Sequence, residues 1–204
     1  MFFYCKMRWD LKGISFEDLW KLEGEEARAA IPTIDSGMAQ HLYKVSAEQY
    51  VIVIANLPSA EELDRTAMAR LPMHEHLIFE EVFSLEEGFT IDVQGYLKPR
   101  REQIEQDPRM LYYIQMAWDP KGRQLDGLWE NAKEGLKNLG AIKVLGLYRV
   151  AGQQRIIIIV DVGKAEDLNA LSNLPVLNSP MVEKVWLLRD YHIFAEDVWK
   201  SFGV

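Results

Sequence analysis

Four histidines, a lysine in an apolar run and a pair of adjacent glutamates are the residues of this chain best suited to chemistry. His41 falls four residues after Gly37, in a segment that alternates as a strand. Its imidazole titrates near neutrality, so it is a candidate acid or base, or else a hydrogen-bonded structural residue. Lys6 stands in FFYCKMRW, residues 2–9. A cation there stabilises a developing anion if it faces a pocket. If the strand alternates outward, it is solvated or snorkels from an edge. Glu25 and Glu26 lie near the end of the first predicted helix, where a carboxylate gains nothing from the helix dipole. Partial burial would raise a pKa there and make a base, and a solvated helix face is the other reading. His74 and His76 form H-x-H beside Glu75 and Glu80, but three ligands at firm spacing are absent. They read as surface residues at a strand start, and no metal is expected. His192 opens the C-terminal segment without an evident partner. Cys5, the only cysteine, reads as a small buried hydrophobe. With no disulfide possible within the chain, a reducing, cytoplasmic setting is the expectation.

The elements that must position these residues follow from periodicity. Phe2 to Trp9 favours a strand. Ser15 caps a helix with Asp18 three residues on, and Phe16, Leu19, Leu22, Glu26, Ala27 and Ala30 follow its period. Pro32 is expected to end it. Met38 to Val45 alternates as a strand, and YVIVIANL, residues 50–57, reads as a buried one. Ser59 and Glu62 open a second helix that Pro72 should close. Leu77 to Leu85 makes a last strand. The order βαββαβ predicts a ferredoxin-like α+β unit, two helices on one face of an antiparallel sheet.

The chain then repeats itself. FFYCKMRWD (2–10) recurs as LYYIQMAWD (111–119), and Leu19-Trp20 as Leu128-Trp129. HLYKVSAEQYVIVIANLPSAEEL (41–63) recurs as GLYRVAGQQRIIIIVDVGKAEDL (146–168), and Leu71-Pro72 as Leu174-Pro175. A repeat this long is a whole folding unit rather than a solenoid period. The expected organisation is a first repeat at 1–85, a linker at 86–109 with a short helix over 101–106, a second repeat at 110–190 and a C-terminal amphipathic helix at 191–204. The second repeat is expected to hold strands at 110–118, 141–150, 154–162 and 181–189, with helices at 123–139 and 165–173. Each unit alone leaves one sheet face bare, so the two are expected to pack as an intrachain dimeric α/β barrel.

Composition narrows the partners. Residues 1–109 carry 12 basic and 20 acidic side chains, residues 110–204 carry 11 of each, and the net charge is −8. That excludes the basic face of a nucleic-acid binder. No stretch approaches the roughly 20 apolar residues that span a bilayer, and the N-terminus has no signal-peptide pattern. A small-molecule ligand and a possible homo-oligomer are the expected partners.

The first repeat resembles the muconolactone isomerase family over about residues 1–85. The matching residues are Phe3-Tyr4-Cys5-Lys6-Met7, Leu22, Glu25-Glu26, Gly37, His41-Leu42-Tyr43, Tyr50, Val53, Pro58-Ser59, Leu63 and Leu71-Pro72. The resemblance implies a cofactor-independent proton shift in a small unsaturated lactone or carboxylate, in aromatic catabolism, with no metal or organic cofactor. It places Lys6, Glu26 and His41 at the catalytic positions. The second repeat carries Gln115, Gly135 and Gly146 there, while Glu25 persists as Glu134. His74 and His76 become Leu177 and Ser179. One functional pocket, in the first repeat, is therefore expected. A non-catalytic small-molecule binder or assembly protein, or a cofactor-free monooxygenase, are the alternatives on the same fold.

Overall fold

A computed structural model gives the fold and describes residues 1–102, 109–119, 122, 124–137, 139–172 and 181–203. It divides into two compact units, Met1–Ser84 with Arg189–Val204, and Leu85–Leu188.

The first unit runs β1 (Phe2–Trp9), α1 (Phe16–Asp35), β2 (Ala39–Val45), β3 (Tyr50–Asn56), α2 (Ala60–Arg65) and the first part of β4 (Leu77–Thr90). β3 pairs antiparallel with both β1 and β2, and β4 lies along β1, so the order is β4-β1-β3-β2. This is the ferredoxin-like α+β arrangement. α6 (Tyr191–Phe202) packs on α1, with the Trp199 indole N–H donating to Gly24 O at 2.9 Å.

Ser15 caps α1 as expected, its hydroxyl accepting from Asp18 N at 3.1 Å. Pro32 does not end the helix: it lies inside it. The proline forfeits one backbone bond, but Ile34 beyond it is buried and Ser36 N still donates to Pro32 O. Packing thus holds the last turn, and Gly37, at φ +75°, ends the helix in a conformation that needs glycine. Ser59 caps α2. α2 then widens into a π turn over Thr66–Arg70, a rare geometry that recurs at functional sites. Leu71, extended because proline follows, stops it.

Register gives the first sheet two faces. Cys5 pairs with Val53 and Met7 with Val51, and all four join the core under α1. The rows Lys6–Ile52–Tyr43 and Tyr4–Ile54–His41 therefore face away from the helix. A bulge between Ala39 and His41 sends these two residues to opposite faces.

The second unit holds the rest of β4, then α3 (Val93–Arg101), β5 (Met110–Ala117), α4 (Leu125–Lys137), β6 (Ile142–Val150), β7 (Arg155–Val162), α5 (Asn169–Ser172) and most of β8 (Met181–Asp190). A short 3-10 turn, Ala165–Leu168, precedes α5. The strand order is β8-β5-β7-β6, all antiparallel, and Leu85–Thr90 pairs with β6. Residues 86–90, read above as the start of a linker, thus complete β4, and α3 occupies 93–101. Asp92 caps α3, and the Tyr96 hydroxyl donates to buried Asp161 at 2.6 Å. Residues 103–106 of the expected short helix lie outside the described residues, as do Leu174-Pro175, Leu177 and Ser179. Among the described residues, no helix is long and apolar enough to cross a membrane.

Candidate functional site

The first unit holds a cavity of about 350 Å³ against the α1 face of its sheet. Cys5, Met7, Val51 and Val53 form its floor, Ala30 and Thr33 of α1 one wall, and Leu63, Thr66 and Arg70 of α2 and its π turn another. It is ligand-sized. The sequence explains the room. At the matched positions of the second repeat, Cys5, Ala39, Val51, Val53 and Ala55 become Ile114, Val144, Ile156, Ile158 and Val160. Those larger side chains are buried together with Trp129 and Leu136. The first unit lacks that volume.

One end of the cavity is polar. Glu23 and Glu26, one turn apart on α1, both line it, with Trp9 and Tyr191. Glu23 is only 1 % exposed, and its Oε1 accepts from the Tyr191 hydroxyl at 2.7 Å. Burial pushes its carboxyl up to about 8, against the pull of the Tyr191 hydrogen bond. Nearby Glu26 adds to the rise, while the Trp9 N–H and Lys44 oppose it. At neutral pH Glu23 is therefore mostly protonated. Glu26 Oε2 accepts from Met73 N at 3.0 Å, and burial raises its carboxyl as well. Tyr191 sits well above the ordinary phenol range, chiefly through burial. Lys44, its ammonium on the Val45 and Glu48 carbonyls, is pushed down to about 8 by burial.

Of the three residues singled out above, only Glu26 lines this cavity. Lys6 lies on the other sheet face, paired with Glu80 at 2.9 Å and stacked over the Tyr50 ring. His41 shares that face, with Nδ1 3.2 Å from the Tyr43 hydroxyl. Burial pushes its imidazole down to about 3, so it is neutral at every ordinary pH. Lys6 and His41 share a face with each other but not with Glu26. His74 and His76 sit in a 3-10 turn before β4 rather than at the strand start, with their Nδ1 atoms on the Leu71 and Asp10 carbonyls.

Glu23 and Tyr191 were missed from sequence. Glu23 stands four residues from both Leu19 and Ala27, in line with the buried stripe, but within the acidic string EGEE it reads as surface. Its partner lies 168 residues away in the chain. The one available signal is that Glu23 matches buried Ala132 in the second repeat.

No protein-family model matches the sequence, and no curated protein does. Solved structures share the fold. A cyanide complex of a mutant chlorite dismutase from Candidatus Nitrospira defluvii gives a TM-score of 0.59 at 13 % identity, over 97 % of this chain and 93 % of that one. An imidazole complex of the same organism's chlorite dismutase gives 0.57 at 12 %, over 97 % and 94 %. At such identities the likeness defines a class, the ferredoxin-like α+β proteins, and says nothing of activity.

It does correct the family reading. The fold neighbours are chlorite dismutases, not muconolactone isomerases, and no family model supports the latter. The cofactor-independent isomerase, with its place in aromatic catabolism, falls with that resemblance. Many of the short matches are fold positions: Cys5, Met7 and Val53 are core residues, and Leu71-Pro72 stops a helix.

Cyanide and imidazole are groups that metal ions bind. A haem in this chain would need an axial histidine, thiolate, thioether or phenolate. No histidine lines the cavity. The Cys5 thiol is pushed up to about 12 by burial, so it offers no thiolate, and Tyr191 spends its proton on Glu23. Among the described residues no cluster of His, Cys, Asp and Glu could hold a metal ion. Of that donor set the cavity keeps only the thioethers of Met7 and Met38, and no chemistry is routed through a haem or a metal.

Proposed function

We propose that the first unit binds a small, mainly apolar molecule in the cavity beside α1. The observation that carries this reading is the missing volume. Five floor and wall positions are each smaller than their matched residues in the second repeat, which are buried in its core cluster, while the larger first-repeat residues Glu23 and Glu26 stand at the cavity's polar end. Empty volume in a core costs about 24 cal/mol per Å³, so a cavity of this size is a standing cost unless it is used. The two repeats are read as copies of one βαββαβ unit, the first adapted for binding and the second for packing.

The test uses methionine methyl groups as reporters. Met7 and Met38 line the cavity, whereas Met110 and Met116 belong to the second unit. Titrating the ¹³C-methyl-methionine-labelled chain with 1-hexanol should shift Met7 and Met38 and leave Met110 and Met116 in place. Uniform shifts, or none at millimolar hexanol, would refute the binding reading.

A further inference from the structure

Apart from the Glu23 carboxyl, the polar groups around the cavity have committed their protons to the protein. The Thr33 hydroxyl donates to Ala30 O at 2.7 Å, and the Thr66 hydroxyl to Glu62 O at 2.9 Å. The Tyr191 hydroxyl donates to Glu23, and Met73 N to Glu26. Arg70 is half-exposed at the wall and ion-paired to Glu62. What faces the cavity is therefore mainly acceptor once Glu23 has given up its proton: two carboxyl groups and the threonine hydroxyl oxygens, set among apolar and aromatic side chains. A ligand matched to such a wall must donate.

A second observation points the same way. The Trp9 indole N–H is buried, and its nitrogen makes no hydrogen bond of good geometry. It is turned toward Glu23 closely enough to favour the ionised carboxyl. Tyr191 O–H and Trp9 N–H thus both address one carboxyl, which suits an anion. Lys44 also favours the ionised form, but burial outweighs these pulls and keeps that carboxyl protonated. A cation bound in the cavity would complete the charge state for which the site is arranged.

Resting on the binding reading above, we infer that the cavity takes an apolar primary amine, its ammonium group on Glu23 and Glu26 and its hydrocarbon body over Cys5, Met7 and Val53. Trp9 and Phe79 add aromatic lining. On binding, the proton of the Glu23 carboxyl passes to solvent while the ammonium keeps its own, so the complex holds an ion pair. The groups facing Glu23 and Glu26 are Trp9 on β1, Lys44 on β2, Tyr191 on α6 and His74 beyond the π turn, with Arg189 acting on Lys44. Lys44 is held by backbone carbonyls and does not line the cavity.

The experiment is calorimetric titration of the intact chain with hexylamine and, separately, 1-hexanol, in buffers of different ionisation enthalpy from pH 6 to 9. Hexylamine should release close to one proton at pH 7. Its affinity should rise about tenfold per pH unit and flatten near pH 8, while that of hexanol stays level. Glu23→Gln should abolish both the slope and the proton release. The wild-type pH series decides the matter even if that variant fails to fold. Hexanol binding with hexylamine weaker, or pH-independent, overturns the amine assignment alone. Binding of neither overturns the cavity's ligand role as well.

Discussion

Glu23 and His41 are both fully buried and pull stability in opposite directions as pH changes. Folded Glu23 keeps its proton up to about pH 8, whereas an ordinary glutamate releases it near 4.5. Its contribution is thus full below 4.5 and is lost as pH rises to 8. Folded His41 stays neutral down to about 3, whereas an ordinary histidine is protonated below 6.5. Its contribution is lost as pH falls from 6.5 toward 3. The slopes oppose each other between 4.5 and 6.5. Above 6.5 the Glu23 slope acts without His41, at about 1.4 kcal/mol per pH unit, and Glu26 shifts in the same direction. Lys44 enters only above pH 8, where its depressed value makes stability rise again. Urea unfolding should therefore show a broad plateau between about pH 4.5 and 6.5 and a clear fall by pH 8. Glu23→Gln should remove most of that fall. A flat profile between 6.5 and 8 in the parent chain would show that Glu23 is ionised in the empty fold.

At the scale of elements, most of the strands and helices are legible because alternation and helical period report burial directly. The helix ends set by proline were not, because Pro32 and Pro72 look alike in sequence. Only burial of Ile34 beyond Pro32 carries α1 through it. The cavity was invisible for a different reason: it is a deficit of volume, and each of Val51, Val53 and Ala55 is an ordinary core residue by itself. The deficit appears only when β3 is set beside β7, where Ile156, Ile158 and Val160 stand. Exchanging part of that difference tests it. Val51→Ile with Val53→Ile adds two methylenes into open space and should stabilise the chain by about 1–2 kcal/mol in urea titrations, while weakening hexanol binding. Destabilisation would mean that the volume is already taken up by neighbours.

Across the whole molecule, the two units solve one electrostatic problem with different residues. In the first, Lys6 and Arg8 of β1 both pair with Glu80 on β4. In the second, the matched acid Glu183 on β8 accepts from Gln115 at 2.8 Å, and the cation is Arg155 on β7. Arg155 occupies the position matched by Tyr50. The replacement of Lys6 by Gln115, which from sequence reads as loss of a functional residue, thus accompanies transfer of the charge to the adjacent strand. Lys6→Ala leaves Glu80 on Arg8 and should cost about 1 kcal/mol or less. Arg155→Ala leaves Glu183 on a neutral amide and should cost about 1–3 kcal/mol. Equal losses by chemical denaturation would contradict this division of roles.

The sole cysteine of the chain forms part of the cavity floor and is fully buried, its thiol pushed up to about 12. A thiol reagent therefore meets two barriers, access and ionisation, and both fall only when this unit opens. At reagent concentrations where alkylation outpaces reclosing, it becomes a clock for that opening, its rate set by how often the floor parts from α1. Because no second thiol contributes, the signal is unmixed. An occupant of the cavity should lower the alkylation rate in proportion to its occupancy, giving a kinetic titration that needs neither a label nor any knowledge of what the occupant is.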